Sequence, residues 1–338
     1  MTKRHQGEKP KKKAEYDGAN KTISTGSTLL DLAISGGRYR EGGIPIGILV
    51  EIFGPSGAGK TVLLCQIAGN MQKQDADIMF HDPEARLNSQ FASMFGLNTR
   101  EIQYTTPNTI PEVFKAVRDW LPSKETPAPL RGVFADSLAA LSTNMEMGKD
   151  EGDKMGMRRA KEFSEELRKT CRIITQQEVL MVCSNQIRQN PDAGIYGQKW
   201  KSPGGEAIGF YSSLRLRCGN SSKIKIKRTV KGNEHERVAG VKTEIEVYKS
   251  SVWEPYHTAS VYILFGYGID DIRANLRYLK TTNNLTTYQL HGQNLGKNID
   301  AAIQEIESLG AEQELKDEVI DLWNEIESKF VQKRKARE

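Results

Sequence analysis

The 338-residue chain lacks any run of about 18 apolar residues, which excludes a membrane-spanning helix. Its opening stretch, Met1–Lys13, has no apolar segment and cannot act as a secretory signal. Cysteine is scarce: Cys65, Cys171, Cys183 and Cys218 lie far apart, three of them in or beside apolar patterns. Cysteines spaced so widely read as reduced core thiols, not as a disulfide framework or a metal site. No second cluster of carboxylates offers a place for a metal pair, which disfavours a nuclease. There are no internal repeats. These absences point to a cytoplasmic globular protein. The apolar content of 38% is enough to bury a proper core, in one large domain or two. The net charge of +5 is mild, so where the charge clusters matters more than its sum.

What is present is dominated by Ile48–Thr61, ILVEIFGPSGAGKT. An apolar run ending at Phe53 leads directly into Gly54, Pro55, Ser56, Gly57, Ala58, Gly59, Lys60 and Thr61. This is the G-x4-G-K-T phosphate loop, in the strand–loop–helix setting that the motif requires. Gly54, Gly57 and Gly59 carry no Cβ, so the backbone can turn its N–H groups toward an anion. A helix from Thr61 presents its N-terminus to the phosphates. Lys60 can reach the β- and γ-phosphates, and the Thr61 hydroxyl can ligate Mg2+. A nucleoside triphosphate and Mg2+ are therefore the expected ligands, and the resemblance set out below implies that the nucleotide is ATP.

Around this loop, helix and strand signals alternate. Ser27 caps a short helix carrying Leu29, Leu30 and Ile34. Ile78–Phe80 reads as a strand ending in His81-Asp82-Pro83-Glu84. Ile110–Trp120 reads as a helix, and Arg131–Ala135 as a strand ending in Asp136-Ser137. Met155–Thr175 is a long polar helix with Phe163, Leu167, Cys171 and Ile174 on one face. Val179–Ser184 is a buried strand closed by Asn185-Gln186. The alternation predicts a mostly parallel sheet with helices on both faces, its ligands at the carboxyl ends of the strands. All the polar punctuation falls at that edge, so one pocket collects it. Asp136 is the candidate carboxylate for the metal's water shell. Glu84 is the candidate base that orients an attacking water, and Gln186 a candidate γ-phosphate sensor. From Phe210 onward the pattern turns to antiparallel strands: Tyr211–Cys218, Lys223–Thr229, Thr243–Lys249 and Ser260–Leu264. Helical segments follow over Ile269–Leu279 and Asn298–Phe330. The expected layout is a disordered basic arm (1–20), an ATPase core (21–267), a small C-terminal domain (268–330) and a basic tail (331–338).

Two further stretches suit nucleic acid. Asn190–Gly205 is long, polar and rich in Gly and Pro, with Lys199-Trp200-Lys201 near its centre. Cations beside an aromatic suit a surface that tracks a backbone and stacks on a base, although Trp200 could instead anchor the loop. Lys223, Lys225 and Lys227 alternate and so share one strand face, which by itself reads as a charged edge strand that resists aggregation; the resemblance given next implies instead a second DNA-binding surface.

Several motifs together resemble the bacterial RecA recombinase family: Ile23-Ser-Thr-Gly-Ser, Val50-Glu-Ile-Phe-Gly-Pro, Asp82-Pro-Glu84, Ala135-Asp-Ser-Leu-Ala-Ala-Leu141, Gly152-Asp-Lys-Met-Gly156, Asn185-Gln-Ile-Arg188 and Gly204-Gly-Glu-Ala-Ile-Gly-Phe-Tyr211. They run in the family's order over Lys21–Phe330. The resemblance implies an α/β, RecA-like P-loop NTPase core with an antiparallel extension and a small C-terminal α/β domain. It implies a DNA-dependent ATPase that binds single-stranded and duplex DNA, promotes homologous pairing, and assembles as a helical filament of identical subunits. By resemblance, Glu84 is the catalytic glutamate, Gln186 the nucleotide-sensing glutamine and Phe91 the ring that stacks on adenine. Met145–Arg159 and Asn190–Phe210 match two DNA-binding loops, and Phe210 a residue that crosses the subunit interface. The DNA contacts expected on this basis are Met155, Arg158, Arg168, Arg188, Lys199, Trp200, Lys201, Gly204, Gly205, Lys225 and Lys227.

Three departures stand out. Only about twenty polar residues precede the core, where the family has a helix and strand that dock onto the next subunit. Two family lysines that reach the neighbour's ATP match Lys249 and Ser251, so one cation is missing. The tail is basic where the family's is often acidic. These suit a divergent bacterial or phage member. A regulatory paralogue without strand exchange and a RecA-fold DNA motor are the rival readings.

Overall fold

The computed structural model describes residues 21–120, 130–143, 155–189, 200–201 and 206–331. The basic arm and tail, and the loop positions Lys199, Gly204 and Gly205, lie outside the described residues. In chain order the strands are β1 (Thr22–Ile23), β2 (Ile44–Pro45), β3 (Leu49–Gly54), β4 (Asp77–His81), β5 (Ile102–Thr105), β6 (Arg131–Ala135), β7 (Val179–Gln186), β8 (Arg188–Gln189), β9 (Trp200–Lys201), β10 (Leu214–Val230), β11 (Asn233–Ser250), β12 (Thr258–Leu264), β13 (Gly268–Ile269), β14 (Tyr288–Leu290) and β15 (Gln293–Gly296). The helices are α1 (Thr28–Ser35), α2 (Lys60–Gln72), α3 (Ser89–Met94), α4 (Ile110–Asp119), α5 (Met155–Gln176), α6 (Glu206–Tyr211), α7 (Asp271–Thr282), α8 (Ile299–Leu309) and α9 (Glu312–Phe330).

Nine strands form the main sheet, in the order β13-β12-β11-β10-β3-β7-β6-β4-β5. The pairs from β10 to β5 are parallel, and those from β10 to β13 antiparallel. Successive residues of a strand point to opposite faces, so a strand buried on both sides is apolar throughout. The central strands follow this rule. Val50, Ile52, Phe80, Phe134 and Val182 face the core shared with α1 and α2. Their neighbours Leu49, Met79, Val133 and Met181 face the core shared with α4 and α5, beside Phe114 and Phe163. Phe80 and Phe134 stack with centroids 6.1 Å apart, both fully buried. Truncating either to Ala would cost about 3–5 kcal/mol, a large share of a domain's stability.

Local signals set several boundaries. Ser27 caps α1, its Oγ accepting from the Leu30 N–H at 3.5 Å. Asp270 caps α7 and also binds Arg273 Nε at 2.6 Å. Asn298 caps α8, which ends at Gly310 with φ +62°. The two amphipathic segments expected over Asn298–Phe330 are α8 and α9.

The structure differs from the sequence expectation in several places, one being β11, which opens at Asn233 where the pattern predicts a strand only from Thr243. Strand β7 runs on through Asn185 and Gln186, because Gly54 at the end of β3 still pairs with Gln186. Tyr211 closes α6 instead of opening a strand. The two strands expected at Tyr211–Cys218 and Lys223–Thr229 are one strand, β10. A register shift between Cys218 and Ser221 absorbs the polar interruption, and the unbroken partner β11 carries the ladder across it. Strand β5 and helix α3 were not legible, because both are short and mostly exposed.

Candidate nucleotide site and nucleic-acid interface

The phosphate loop leaves β3 at the sheet's carboxyl edge. A Cβ on Gly54 would stand 2.4 Å from the Cys218 carbonyl oxygen of neighbouring β10, so only glycine fits. Gly59, at φ +85°, is the N-cap of α2 and offers no side-chain acceptor. The first N–H groups of α2 therefore lack a capping side chain, the arrangement that favours an anion. The buried Lys60 ammonium donates to the carbonyl oxygens of Gly54 (3.0 Å) and Pro55 (2.7 Å). Burial holds its pKa below the usual lysine value, and Cys218 and Asp136 oppose that only in part. A desolvated cation of this kind gains from a phosphate partner.

The structure brings Thr61 and Asp136 together from 75 residues apart. The Thr61 hydroxyl donates to Asp136 Oδ2 at 2.6 Å. The other carboxylate oxygen, Oδ1, accepts from Ser184 Oγ of β7. The Asp136–Ser137 peptide is cis. A hydroxyl and a carboxylate are hard oxygen donors, and Mg2+ takes few protein ligands besides phosphates and water. The residues present fit that ion.

Glu84 lies past the end of β4. Its Oε2 pairs with Arg86 Nη1 at 2.6 Å, and its Oε1 accepts from Ser137 Oγ at 3.4 Å. The loop carrying it is fixed by buried Asp82, which accepts from the Leu87 N–H (2.7 Å) and the Tyr104 hydroxyl (2.9 Å). Phe91, on α3, packs edge-on against Phe95 at 4.6 Å and leaves 37% of its surface exposed. Gln186 has an exposed side chain, and its N–H donates to Asn185 Oδ1 at 3.1 Å.

Sequence reasoning missed the support behind the loop. Glu51, within the apolar run ILVEIF, is fully buried. It accepts from Asn185 Nδ2 at 3.0 Å and from Arg215 Nε at 2.6 Å. The Arg215 guanidinium lies 4.5 Å from the Phe53 ring centroid and 5.3 Å from that of Tyr248. An acid inside an apolar strand was itself the signal, since a buried charge demands a partner. Ser184 was passed over as well. Lys249 Nζ donates to the carbonyl oxygens of Gly209 and Phe210, each at 2.9 Å. Burial and nearby Arg215 hold the Lys249 pKa down. Ser251 Oγ donates to the Ser213 carbonyl at 3.2 Å. The Phe210 ring is 76% exposed.

The expected DNA residues divide into separate groups. Arg158 and Arg168 are both exposed on α5, about 15 Å apart along its axis. Met155 lies in the first turn of α5. Arg188 pairs with Lys201, and Gln189 with Trp200, in the β8–β9 ribbon at the base of the second loop. Lys225 and Lys227 stand on a different feature, the β10–β11 hairpin. There they pair with Glu236 and Glu234, each at 2.7 Å.

A phosphate loop at the head of a central parallel strand, flanked by strand-end carboxylates, defines a P-loop NTPase fold. The sequence profile of the RecA N-terminal domain matches residues 10–270. The protein named Protein RecA from Delftia acidovorans is 31% identical over 306 residues, 88% of this chain and 78% of that protein. Protein RecA of the Wolbachia of Brugia malayi is 32% identical over 273 residues, 79% and 72% of the respective chains. Protein RecA of Bacillus subtilis is 32% identical over 248 residues, 73% and 66%. The chain belongs to the RecA family. No helix among the described residues is long and apolar enough to cross a membrane.

Proposed function

We propose that this chain is a DNA-dependent ATPase that coats single-stranded DNA and promotes homologous pairing. The observation that carries this reading is the Thr61–Asp136 contact beside Lys60, with Glu84 at the adjoining strand end. In this reading Lys60 and the start of α2 bind the phosphates of ATP. Thr61 and Asp136 would hold Mg2+ and its water. The metal, when bound, polarises the phosphoryl oxygens. Glu84 orients the attacking water and accepts its proton, while Ser137 and Arg86 fix the carboxylate's direction. Gln186, on the strand next to β3, reports the state of the γ-phosphate to the β8–β9 base of the second loop. Phe91 supports the adenine. Phe210 and Lys249 belong to the contact between subunits. The layout of core and C-terminal domain proposed from sequence places α7, α8 and α9 outside the ATPase unit.

The test is ATP hydrolysis with and without single-stranded DNA, together with electron microscopy using a non-hydrolysable ATP analogue. Stimulated hydrolysis and helical filaments support the reading. Closed rings would replace it with a motor, and isolated protomers with a regulator.

A further inference from the structure

Strand β12 is covered along only part of its outer side. All seven of its residues pair with β11, but only Ile263 and Leu264 pair with β13. The Asp270 N–H donates to the Tyr262 carbonyl oxygen at 2.8 Å, so Tyr262 turns that group away from β11. Backbone direction alternates along an antiparallel strand, and Ser260 and Thr258 turn theirs outward as well. Neither has a backbone partner on that side among the described residues. From Thr258 to Tyr262 the nine-stranded sheet therefore presents roughly 13 Å of open edge, at about 3.3 Å per residue. Such an edge is a template for another strand.

A groove of about 680 Å³ lies beside this edge, the rest of its lining drawn from α1, α7, β14 and α9. The two faces of the edge differ. Ala259 and Val261 join the core that holds Leu29, Ala274 and Trp323, so that side is apolar. Ser260 and Tyr262 point the other way, opposite Glu244 and Lys242 of β11. The acids near the edge are all tied. Glu244 is held by Lys242 Nζ and Ser260 Oγ, each at 2.7 Å. Glu246, opposite Thr258, is bound to Arg217, and Asp270 to Arg273. Two cations are left over. The Arg277 guanidinium lies 5.4 Å from the Tyr262 ring centroid, and Lys280 Nζ lies 4.2 Å from that of Tyr288. Neither pairs with a carboxylate among the described residues.

We propose that this groove takes an extended acidic segment of a partner protein, which adds a strand to the Thr258–Tyr262 edge. In strand addition main-chain hydrogen bonds give affinity, and sites for alternate side chains give selectivity. One set of the segment's side chains meets the apolar side, toward Leu29, Ala274 and Trp323. The alternate set meets the Tyr262 side, where Arg277 lies, so carboxylates suit it. The fit is to acids alternating with apolar residues. A nucleic acid also offers negative charge, but it has no N–H and C=O groups at strand spacing to pair with the edge. The chain's own ends, Met1–Lys13 and Gln332–Glu338, are basic and have the wrong charge for the site. This surface does not depend on the chain's being an ATPase or binding DNA.

The test is fluorescence anisotropy with the full chain and a labelled, monomeric peptide of about ten residues, in which glutamate alternates with valine and one phenylalanine. The glutamate peptide should bind, and its lysine counterpart should bind roughly tenfold more weakly or worse, as losing charged hydrogen bonds dictates. A peptide strand has two edges. Methylating its backbone nitrogens on one edge should weaken binding roughly tenfold, and methylating those on the other should change it little. Arg277→Ala/Lys280→Ala should weaken the glutamate peptide by a similar factor with an unchanged melting temperature. Ser260→Pro should do the same, because the N–H it removes points away from β11 and an edge strand tolerates that loss. Hydrogen exchange across residues 258–262 should slow when the peptide is bound. No binding, equal affinity for the glutamate and lysine peptides, or indifference to methylation on both edges overturns the proposal. So does protection of residues 258–262 by random-sequence DNA and not by the peptide.

Discussion

The Lys249 ammonium and the Phe210 carbonyl oxygen stand 2.9 Å apart, and the same ammonium reaches the Gly209 carbonyl. A cation from β11 thus satisfies acceptors near the C-terminal end of α6, where they lack helical partners. Position 209 is a glycine for a visible reason: a Cβ on Gly209 would meet Arg215 Nη1 at 2.9 Å. Lys249, α6 and the Glu51–Arg215 pair therefore form one packed unit behind the phosphate loop. The Phe210 ring projects outward from it.

This unit separates folding from assembly. Phe210→Ala removes an exposed ring, so the melting temperature should hardly move. The dependence of ATP turnover on protein concentration should flatten if the ring bridges subunits. Lys249→Met should lower stability by about 1–3 kcal/mol, because the α6 carbonyls lose a charged donor. Thermal melts and a protein-concentration series check both expectations.

The buried pair gives a sharper stability test. Arg215→Leu leaves the fully buried Glu51 carboxylate without its cation and should cost about 3–5 kcal/mol. Adding Glu51→Leu removes the stranded charge and should recover much of that loss. Denaturant melts of the two single variants and the double variant complete the cycle. A double variant no better than Arg215→Leu alone would mean that Asn185, not Arg215, compensates the acid.

At the nucleotide site, Glu84→Gln should keep ATP binding and slow turnover by roughly 10²-fold or more, the scale of a lost general base. Arg86→Ala should change stability by less than about 1 kcal/mol, since its guanidinium is largely exposed. Lys60→Ala should abolish nucleotide-dependent activity. Nucleotide titrations alongside steady-state hydrolysis distinguish the three.

For the second loop, Trp200→Ala should weaken single-strand binding by about 1–3 kcal/mol if the ring stacks on a base. Replacing Lys199 and Lys201 as well should flatten the salt dependence. An unchanged affinity and slope in the triple variant would remove this segment from the DNA surface.

His81 sets a pH dependence. Burial drives its pKa down from 6.5 to about 4, and Nδ1 lies 2.6 Å from Thr105 Oγ1. Between those values the unfolded chain binds a proton that the folded chain refuses, so this contribution to stability falls as pH falls. It is fully present above about pH 6.5 and is lost progressively toward pH 4. The slope approaches about 1.4 kcal/mol per pH unit in that window. His81→Leu should remove that component, which melts at pH 7, 6 and 5 would register. An identical slope in parent and variant would assign the acid sensitivity to other groups.

The sequence by itself determined the elements whose signals are local. Apolar runs longer than the neighbouring turns marked β3, β6 and β7, because strands buried on both faces cannot alternate. The G-x4-G-K-T spacing marked the loop, since few residue types let a backbone wrap an anion. Ser27 announced α1, and the strand-end positions of Glu84 and Asp136 suggested that they share an edge. Tertiary structure alone decided what depends on distant pairing. It joined Glu51 to Arg215 and Lys249 to the end of α6, contacts with no trace in local periodicity. It also fused two expected strands into β10, because β11 supplied an unbroken partner. The lysines of that strand show the limit most clearly. Their alternation placed them on one face, but the register of β11, with its shift near Ile224, opposed that face with Glu234 and Glu236 and left the arginines on the other. Side-chain period is a property of one strand, whereas the charge of a face belongs to two.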